Sequence, residues 1–575
     1  MNSEQLLQNF DRIAESPGSI AQLRRFILDL AVRGKLVEQD PNDEPASELL
    51  KQIQVEKEKL VQEGKVKQGK LLSDVAKDES TFDIPNNWKW VRFGNIVDFS
   101  AGRTPSRHDQ SYWNTGDYPW SSIADMKDGE HLSTTKETIS QKAKEQIFRA
   151  EPSPLGTMLM SFKLTIGKIV RLSIPAYHNE AIISIFPHFA EIDAYLFMSL
   201  PQFARVGNTK DAIKGATLNR ESISNIILPL PPLAEQHRIV AKVDELMGLC
   251  DRLEAAQKDR ESQRDRLVAS SLHYLNQAAE KEEFRDRVQF YFDRLPKLTT
   301  RSEHIKQLRQ TILNLAACGK LVPQDPNDEP ASELLDRIQM EKKELIAHGR
   351  IRKEKPLLPL TISNIPFTIP PSWEWVKIGI ASLFIEYGTS QQSAHSEFGV
   401  PVLKMGDIQD GKVILGGQKK VSETIDDLPG LYLKNLDLLY NRTNSAELVG
   451  KTGIYFGDND KYTFASYLIR IHCSSISSSP FYFNLAMNAP FFRATQITPH
   501  LKQQCGQANV NGTILKNMAI PLPPLAEQDR IVAKVDELMG LCDRLETQIS
   551  IIETDSRRLL ESLLHEATSG IAVKG

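Results

Sequence analysis

Apolar residues recur at alternating steps of three and four along two long stretches of the chain. In one stretch these positions run from Ile531 to Leu563. In the other they run from Ile239 to Leu253 and return at Leu267 after a polar interruption. An apolar repeat with this spacing is typical of the seam of a coiled coil. The pattern therefore predicts two long helices, each with one apolar stripe.

The two predicted helices have equivalent stripes, and we expect them to pair with each other. The positions expected to pair them are Ile239, Val243, Leu246, Cys250 and Leu253 in the first helix and Ile531, Val535, Leu538, Cys542 and Leu545 in the second. A first helix over residues 235–278 would be roughly 65 Å long at about 1.5 Å per residue. An antiparallel pair would place one of the remaining regions of the chain at each of its ends.

The chain contains an internal repeat that is far longer than the unit of a solenoid protein. The matching pairs are residues 34–50 with 319–335, residues 84–91 with 369–376, and residues 229–254 with 521–546. The last pair differs only at His237 and Asp529. Two copies of one module therefore follow each other at an offset of about 285 to 292 residues.

Between the matching segments lie two inserts, residues 86–228 and 371–520, that hardly resemble each other. Both contain short β-prone runs, such as residues 167–172 and 453–456, among scattered Gly, Pro, Ser, Thr and Asn. This composition predicts mixed α/β domains. Two equivalent frames thus carry two different inserts, which is not expected of a pair of identical enzymatic lobes.

Glycine and proline indicate where the shorter helices begin and end. Residues 23–31 are predicted as a helix closed by Gly34, and residues 308–316 as its counterpart closed by Gly319. Pro45 and Pro330 are expected to be the first residues of the helices that follow.

These elements predict an α+β fold. Two mixed α/β domains are separated by a pair of long antiparallel coiled-coil helices, with a pseudo-twofold internal repeat. The predicted segments are residues 1–80, an N-terminal helical segment; 81–232, the first α/β domain; 233–285, the central long helix; 286–368, a helical linker that repeats the N-terminal segment; 369–524, the second α/β domain; and 525–570, the C-terminal long helix.

Composition narrows the class of protein. The chain has 575 residues, which suggests several domains. It has no run of about 18 apolar residues, so no membrane span is expected. Its start lacks the apolar stretch of a secretory signal. The five cysteines form no Cys-x-x-Cys pair, so neither a zinc site nor a disulfide framework is indicated and a cytoplasmic location is expected.

Several motifs resemble one known family. The doubled Pro-Leu-Pro-Pro-Leu-Ala-Glu-Gln-x-Arg-Ile-Val and Ile-Pro-x-x-Trp-x-Trp-Val segments, with Ser-Ala-Gly-Arg-Thr-Pro-Ser at residues 100–106 and Asp-Tyr-Pro-Trp at residues 117–120, resemble the specificity subunits of type I restriction–modification enzymes. The second insert has Glu-Tyr-Gly-Thr-Ser at residues 386–390 and lacks the Thr-Pro. The first insert is therefore matched by motif, and the second mainly by position.

The resemblance implies a non-catalytic subunit with two target recognition domains. Each domain would read one half of a split sequence in double-stranded DNA, and the long helices would set the gap between the halves. The partners implied are two modification (methyltransferase) subunits that use S-adenosylmethionine, and restriction subunits that use ATP and Mg²⁺ for translocation and cleavage. No cofactor or metal is expected on this chain itself. Two different inserts would read two different half-sites, so the target should be asymmetric.

Candidate DNA-binding residues are side chains that can read base edges or contact phosphates. In the first insert they are Arg103, Arg107, Lys163, Lys168, Lys210, Lys214, Asn219 and Arg220; in the second they are Gln391, Gln392, Lys404, Lys419, Lys420, Arg442, Lys451, Lys502, Gln503 and Gln504. The first insert has 16 Lys and Arg against 14 Asp and Glu, about +2, and the second is near +1. This is weak for a DNA binder. Either charge is segregated onto one face, or affinity is shared with partner subunits.

Two segments resemble catalytic motifs only in part. Gly450-Lys451-Thr452 ends like a phosphate-binding loop, but Ser445 stands at the first glycine position. Residues 488–491, Asn-Ala-Pro-Phe, depart from the adenine methyltransferase pattern at the second position, and no histidine has metal-ligand spacing with another His or Cys. Cys250 and Cys542 fall on the helix stripes and are expected to pack in a core.

Two other functions remain open at this stage. One is a coiled-coil scaffold without DNA specificity, which leaves the divergent inserts without a role. A gel shift with a random DNA pool, with and without partner subunits, separates it from a recognition subunit. The other is a self-sufficient methyltransferase–nuclease, which binding of S-adenosylmethionine by the isolated chain would support.

Overall fold

The computed structural model describes residues 18–66, 71–204, 210–212, 215–217, 219–277, 281–361, 365–426, 428–504 and 507–569. At 210–217, 281, 502–507 and 563–569 the description concerns the backbone alone. The chain divides into two compact units. The first unit is Met1–Asp259 with Glu553–Gly575, and the second unit is Arg260–Ile552.

The α-helices follow the predicted frame. They are α1 Ser19–Val32, α2 Ala46–Gln62, α3 Phe93–Ile96, α4 Gln141–Ala143, α5 Asp193–Ala204, α6 Arg220–Ser224, α7 Leu233–Asn276, α8 Lys281–Leu298, α9 Ser302–Ala317, α10 Ala331–Ala347, α11 Ile378–Ala381, α12 Leu428–Leu431, α13 Pro480–Asn488, α14 Pro490–Phe492, α15 Gly512–Asn517 and α16 Leu525–Ser569. The two predicted long helices are confirmed as α7 and α16. Each begins directly after Pro-Leu-Pro-Pro because proline can precede a helix but not continue one.

The strands lie almost entirely in the two inserts. In the first unit they are β1 Lys89–Arg92, β2 Val97–Ala101, β3 Trp113–Ser121, β4 His131–Leu132, β5 Glu137–Ile139, β6 Met158–Ser161, β7 Ile169–Leu172, β8 Tyr177–His178, β9 Ile182–Pro187, β10 Lys210–Ala212, β11 Gly215–Thr217 and β12 Ile227–Leu230. In the second unit they are β13 Glu374–Lys377, β14 Phe384–Tyr387, β15 Val400–Leu403, β16 Ile408–Gln409, β17 Lys412–Val413, β18 Lys420–Val421, β19 Leu438–Asn441, β20 Thr443–Asn444, β21 Thr452–Ile454, β22 Thr463–Phe464, β23 Leu468–His472, β24 Lys502–Gln504, β25 Gln507–Asn509 and β26 Ala519–Leu522.

The two inserts share one strand order although their sequences differ. The main sheet of the first is β2-β9-β6-β7-β4, and that of the second is β14-β23-β19-β21-β17 with β16 added at the edge. A smaller sheet, β5-β3-β8, has its counterpart in β18-β15-β22. Within these small sheets β3 pairs with β8 in parallel, as β15 does with β22. The prediction of mixed α/β inserts is confirmed, and both inserts have the same topology.

Each insert leaves the helical frame and returns to it at one place. Its opening strand pairs antiparallel with its closing strand, β1 with β12 and β13 with β26. Trp90 lies opposite Pro229, and Trp375 lies opposite Pro521. Because both ends of the insert are joined in one ladder, the insert can change its loops without changing the helix that follows.

Glycines close the first helix of each module, as predicted. Gly34 and Gly319 have φ values of +67° and +69°, a backbone conformation that costs little free energy only for glycine. A Cβ atom at Gly34 would lie 2.6 Å from Pro85 Cγ, and one at Gly319 would lie 2.7 Å from Pro370 Cγ. Glycine is therefore required at both positions by conformation and by space.

The prolines that precede α2 and α10 differ from the prediction by one residue. Pro45 and Pro330 are the capping residues rather than the first helical residues, and both have an extended backbone with ψ of 152°. The residue before the first helical turn keeps this conformation because it does not yet belong to the helical spiral.

A buried carboxylate ties each long helix to the other repeated segments. Glu235, in the first turn of α7, accepts hydrogen bonds from Trp88 Nε1 at 2.9 Å and from Gln39 Nε2. Glu527, in the first turn of α16, accepts the same bonds from Trp373 Nε1 at 2.9 Å and from Gln324 Nε2. Burial raises the pKa of both carboxyl groups.

A second repeated contact lies beside each buried carboxylate. Arg238 pairs with Asp43 at 2.6 Å, and Arg530 pairs with Asp328 at 2.5 Å. The segments that match between the two copies are thus the segments that contact each other. This explains why the repeat is strong in three separated stretches and weak elsewhere.

Replacing Glu527 by alanine is expected to lower the free energy of unfolding by about 2–3 kcal/mol, because the buried Trp373 indole N–H and the Gln324 amide lose their acceptor. Urea denaturation of the full chain measures the change. Glu537→Ala is the matched control, since that side chain is 65% exposed and pairs with Lys534 in the preceding turn; its effect should stay below about 0.5 kcal/mol. Equal effects of the two substitutions would contradict the role of Glu527 as a buried hydrogen-bond acceptor.

The stripe of α7 has its partners within its own module. Ile239, Val243 and Cys250 are buried, with Leu246 and Leu253 beside them. They pack in a cluster whose other buried members are Ile20, Ile27, Ala31, Trp88 and Tyr195. Arg24 of α1 adds ion pairs to Asp251 and Glu254.

The stripe of α16 is arranged in the same way. Ile531, Val535 and Cys542 are buried in a cluster that also contains Ile305, Leu308 and Ile312 of α9, and Leu538 and Leu545 pack against it. Arg309 pairs with Asp543 and Glu546. The same cluster contains Val268, Leu272 and Leu275 near the end of α7, so helices of the same module cover part of each stripe and the pairing of the two long helices through these ten residues stays a prediction.

The first long helix is shorter than predicted. It was expected over residues 233–285, but α7 ends at Asn276 and a separate helix, α8, begins at Lys281. The physical reason is an apolar stripe on α8, with Tyr291, Leu295 and Leu298 buried in the same cluster as Val268 and Leu272 of α7. The two stripes are buried in one cluster by two separate helices rather than by one continuous helix.

Each long helix contributes to both units. The first unit contains the start of α7 and the end of α16, and the second contains the end of α7 and the start of α16. Ser556 and Leu560, near the end of α16, are buried. No helix within the described ranges is long and apolar enough to span a membrane.

Candidate nucleic-acid interface

The candidate DNA-binding residues fall mainly on three loops that are equivalent in the two inserts. We call these the first loop, which follows β2 or β14; the Gly-Lys loop, which joins β6 to β7 or β19 to β21; and the hairpin, β10–β11 or β24–β25. The first loops are residues 102–112 and 388–399, the Gly-Lys loops are residues 162–168 and 442–451, and the hairpins are residues 210–217 and 502–509. Of the last pair, residues 213, 214, 505 and 506 lie outside the described residues.

The first loop begins with a glycine that approaches another backbone closely. A Cβ atom at Gly102 would lie 1.9 Å from the carbonyl oxygen of His178, and one at Gly388 would lie 2.1 Å from that of Phe464. The next residue then donates its backbone N–H to the same carbonyl, at 2.9 Å in the first unit and 2.8 Å in the second. Both first loops are therefore fixed at their start to the parallel strand beside them.

The two arginines of the first loop have partners within their own domain. The guanidinium of Arg103 donates to the carbonyl of Ile147. That of Arg107 forms two bonds with Glu137 and lies 3.8 Å from the centre of the Trp113 ring. The hydrogen bond to Glu137 raises the pKa of Arg107. Both side chains are exposed, but these contacts hold them against the domain.

Beneath the first loop lies a buried histidine. His178 is 5% exposed, and burial lowers the pKa of its imidazole to about 4. Its neutral ring therefore supports the loop at physiological pH. His188, elsewhere in the same unit, also has its pKa lowered to about 4, chiefly by burial.

The free energy of unfolding is expected to fall as the pH drops from about 6.5 towards 4. Unfolded His178 binds a proton near pH 6.5, whereas the folded imidazole resists protonation down to about pH 4. The stability from this group is therefore present above about pH 6.5 and is lost below it, by about 3 kcal/mol. Denaturation midpoints against pH should show a shallower slope for His178→Asn and the wild-type slope for His108→Asn, an exposed position. An unchanged slope in His178→Asn would rule out this origin.

The Gly-Lys loops close in the same way in both inserts. Gly167 and Gly450 have φ values of +78° and +93°, and each precedes a lysine. The carbonyl of that lysine, Lys168 or Lys451, accepts a backbone N–H at 2.9 Å from the strand before the loop. Lys168 is half-buried and its Nζ lies 3.4 Å from the carbonyl of Ile123; Lys451 is exposed.

Arg442 joins all three loops of the second insert. Its guanidinium donates to the carbonyl of Ser466 at 3.0 Å and to Asn509 Oδ1 of the hairpin at 3.3 Å. It also lies 5.0 Å from the centre of the Tyr387 ring at the start of the first loop. Tyr387 in turn accepts the backbone N–H of Gly512 through its hydroxyl. Arg442 therefore positions the loops around it.

Each hairpin is followed by a short helix capped by asparagine. Asn219 Oδ1 accepts the N–H of Ser222 at 2.7 Å before α6, and Asn511 Oδ1 accepts that of Ile514 at 2.9 Å before α15. The carboxamide oxygen of Asn219, a predicted base reader, is thus engaged in capping. Arg220 lies 5.2 Å from the centre of the Phe99 ring.

The remaining predicted residues are distributed as follows. Lys210, Lys502, Gln503 and Gln504 lie on the hairpin strands, and Lys214 lies outside the described residues. Lys163 is half-buried with its Nζ 5.3 Å from the Phe162 ring centre. Gln391, Gln392 and Lys419 are exposed. The Nζ of Lys420 donates to the carbonyl of Glu397 at 2.6 Å. Lys404 precedes a short 3₁₀ turn and donates its backbone N–H to the carboxylate of Asp407. The structure thus brings most of the candidates to corresponding loops.

Three large apolar side chains on these loops are exposed and were not among the sequence candidates: Leu448, on the Gly-Lys loop of the second insert, is 38% exposed, and the other two are more exposed. Leu164, on the Gly-Lys loop of the first insert, is 67% exposed, and Phe398, on the first loop of the second insert, is 85% exposed. An apolar residue in a sequence indicates a core position, so nothing in the pattern marks these three as surface groups. Among the described residues no group of three or more His, Cys, Asp or Glu could hold a metal ion.

Comparisons with known proteins identify the family. A family model described as type I restriction modification DNA specificity domain matches residues 85–261 and 361–554. The EcoEI and EcoAI specificity subunits of type I restriction enzymes from Escherichia coli are each 31% identical to this chain over 567 residues, which cover 95% of this chain and 94% of theirs. The HsdS subunit from Thermoanaerobacter tengcongensis is 18% identical and covers 85% of this chain and 98% of its own, with a TM-score of 0.39.

The chain therefore belongs to the family of type I restriction–modification DNA specificity subunits. Both matches begin near the opening strand of an insert and end within the long helix that follows. The second insert is thus matched as well as the first, although it lacks the motif by which the first is recognised. In this family the specificity subunit is the recognition component and is not the catalytic one.

Proposed function

We propose that this chain selects a split, asymmetric DNA sequence, with one half-site read by each insert. It docks two modification subunits, which supply S-adenosylmethionine for adenine methylation, and restriction subunits, which supply ATP and Mg²⁺ chemistry in the cytoplasm. No cofactor is assigned to this chain. The observation that carries the proposal is that two inserts of one strand order present different side chains on equivalent loops.

The loop chemistry differs between the inserts in the way that different half-sites require. The first insert offers mainly lysine and arginine on its first loop, Gly-Lys loop and hairpin, and the second offers glutamine and asparagine beside its lysines. Arginine and lysine suit guanine, and asparagine and glutamine suit adenine. A shared scaffold with different reading groups supports two unlike half-sites.

Weak net charge favours shared binding. An excess of about +2 in one insert and +1 in the other provides little of the phosphate attraction that dominates DNA affinity. Several of the candidate cations are also engaged by carboxylates or carbonyl groups of their own domain. The modification subunits therefore contribute to holding the duplex, while this chain contributes the sequence preference.

The long helices serve as the spacer in this proposal. The equivalent apolar stripes of α7 and α16 favour an antiparallel pair of long helices. A helix of the length of α7, 44 residues, spans about 66 Å. Such a pair would fix the gap between the two half-sites, as rigid separation of reading heads does in other DNA-binding proteins.

An exchange of one insert tests the proposal. Residues 86–228 are replaced by the corresponding insert of another specificity subunit whose target is known, and the chain is expressed with its modification subunits. Methylome sequencing should then show one half of the methylated sequence changed and the other half and the gap retained. If the methylated sequence is unchanged, or if both halves change, the inserts do not act as independent readers.

A further inference from the structure

The tip of the first Gly-Lys loop presents an apolar side chain to solvent from a strained backbone. Leu164 is 67% exposed and has φ of +64°, a left-handed conformation that residues other than glycine rarely adopt. The loop could hold a glycine here at lower cost, as it does at Gly167. Strained backbone is found preferentially at functional sites, and here the strained residue presents an apolar side chain to solvent.

The loop around this leucine is internally fixed. The N–H of Thr165 donates to the carbonyl of Lys163 at 2.8 Å and closes a three-residue turn with Leu164 at its centre. Ser161 binds the loop from below, because its hydroxyl donates to the carbonyl of Thr165 and accepts the N–H of Lys168 at 3.1 Å. The leucine is thus held out from the domain by a rigid loop.

The charge of the loop indicates which class of partner it contacts. Residues 162–168 contain two lysines, Lys163 and Lys168, and no acidic residue. A protein-docking surface is expected to be a contiguous apolar patch, whereas here one leucine stands between two cations. Apolar wedges flanked by basic residues are used by DNA-binding proteins to open a base step.

We propose that Leu164 is inserted between two base pairs of the half-site read by the first unit, with Lys163 on a flanking phosphate. This inference rests on the proposed function and adds a distortion of the DNA to it. Specificity at that step then depends on how easily the two base pairs unstack, which is a property of the sequence.

The second unit has no equivalent wedge. Its Gly-Lys loop is longer, residues 442–451, and is tied to the hairpin through the pairing of β20 with β25. Its leucine, Leu448, is 38% exposed and lies beside the buried Val449. Of the two Gly-Lys loops, the first is thus the one whose leucine combines high exposure with a positive φ, and the exposed Phe398 of the second unit lies on a different loop.

The test uses the complex of this chain with its modification subunits and a duplex that carries the sequence methylated by the wild-type complex. 2-Aminopurine is placed in turn at the positions of the first half-site. The wild-type complex should raise the fluorescence of 2-aminopurine at one base-pair step. Leu164→Ala should abolish this rise and weaken specific DNA binding about 10-fold. Leu164→Gly, which relieves the backbone strain, should behave like Leu164→Ala, and Leu164→Met should restore both signals. Leu155→Ala is the matched control, because Leu155 is 66% exposed in the same domain; it should change neither.

The lysines give a separate signal. Lys163→Ala should weaken binding to any duplex and reduce the slope of log affinity against log salt by about 1, whereas Leu164→Ala should leave this slope unchanged. Wild-type affinity and fluorescence in Leu164→Ala overturn the proposal. So does a loss of modification subunits from the purified Leu164→Ala complex, which would place the leucine in a protein interface. If the wild-type complex methylates no defined sequence, the proposed function fails and the wedge fails with it.

Discussion

A chain in which residues 371–520 are replaced by a second copy of residues 86–228 should direct methylation to a symmetric split sequence. Both reading heads would then carry the same loops on frames that the repeat makes equivalent. Two identical heads related by a twofold axis read inverted repeats on the duplex. The asymmetric target of the natural chain should be lost completely, because no head remains that reads its second half.

Methylome sequencing of a host that expresses this chain with its modification subunits measures the outcome. The opening and closing strands pair in the same register in both inserts, Trp90 opposite Pro229 and Trp375 opposite Pro521, so the junctions can be made without altering the frame. The control carries the same junctions around the original second insert and should keep the natural target. A duplicated chain that still methylates an asymmetric sequence would show that the second half-site is read by something other than the second insert.

Lengthening the long helices by one turn should lengthen the gap between the half-sites. Four added residues extend a helix by about 6 Å, which corresponds to one or two base pairs at about 3.4 Å each. The insertion in α7 is best placed after Ala256, in an exposed stretch of the helix, with a matched insertion after the exposed Ile551 of α16. Both lie close to the boundaries of the two units.

The half-sites themselves should be unchanged in the lengthened chain, since no loop of either insert is touched. A chain with the same four residues inserted after Gly64, beyond the end of α2, serves as the control and should keep the original gap. An unaltered gap in the lengthened chain would refute the spacer role of the helices. A change in the half-sites would refute the separation of reading from spacing.

The frame could be predicted from the sequence because its signals are local or repeated. Proline before α7 and α16, and glycine after α1 and α9, act on their own neighbours in the chain, so their positions indicate helix ends directly. What could not be predicted is which repeated segments meet. Gln39 and Glu235 are 196 residues apart, and only the fold shows that the matching segments contact each other.

The sequence does not show which neighbours cover the long-helix stripes, for a related reason. An apolar stripe indicates that a face is buried but not what covers it. Ile239 and Ile531 face the first helices of their own modules, and the sequence pattern fits that arrangement as well as it fits a pair of long helices. The end of α7 at Asn276 was missed for the same reason, because the apolar stripe of α8 does not show by itself which surface it packs against.

The candidate interface could be predicted in outline only. The sequence indicated that the candidates lie on loop-like stretches of the two inserts, but it does not distinguish a cation that points to solvent from one held by its own domain, and only the fold shows which loops are equivalent. Arg107 on Glu137 and Arg442 on Asn509 have contacts that depend on residues distant in the chain. Leu164 was missed because apolar residues are expected inside, and its exposure is decided by the loop that carries it.

The most direct measurement of the account is the methylome of a host that lacks other adenine methylation and expresses this chain with its modification subunits. We expect one methylated sequence made of two unlike halves separated by a fixed gap, and none when this chain is omitted. Methylation of a continuous or symmetric sequence, or methylation that does not depend on this chain, would contradict this expectation.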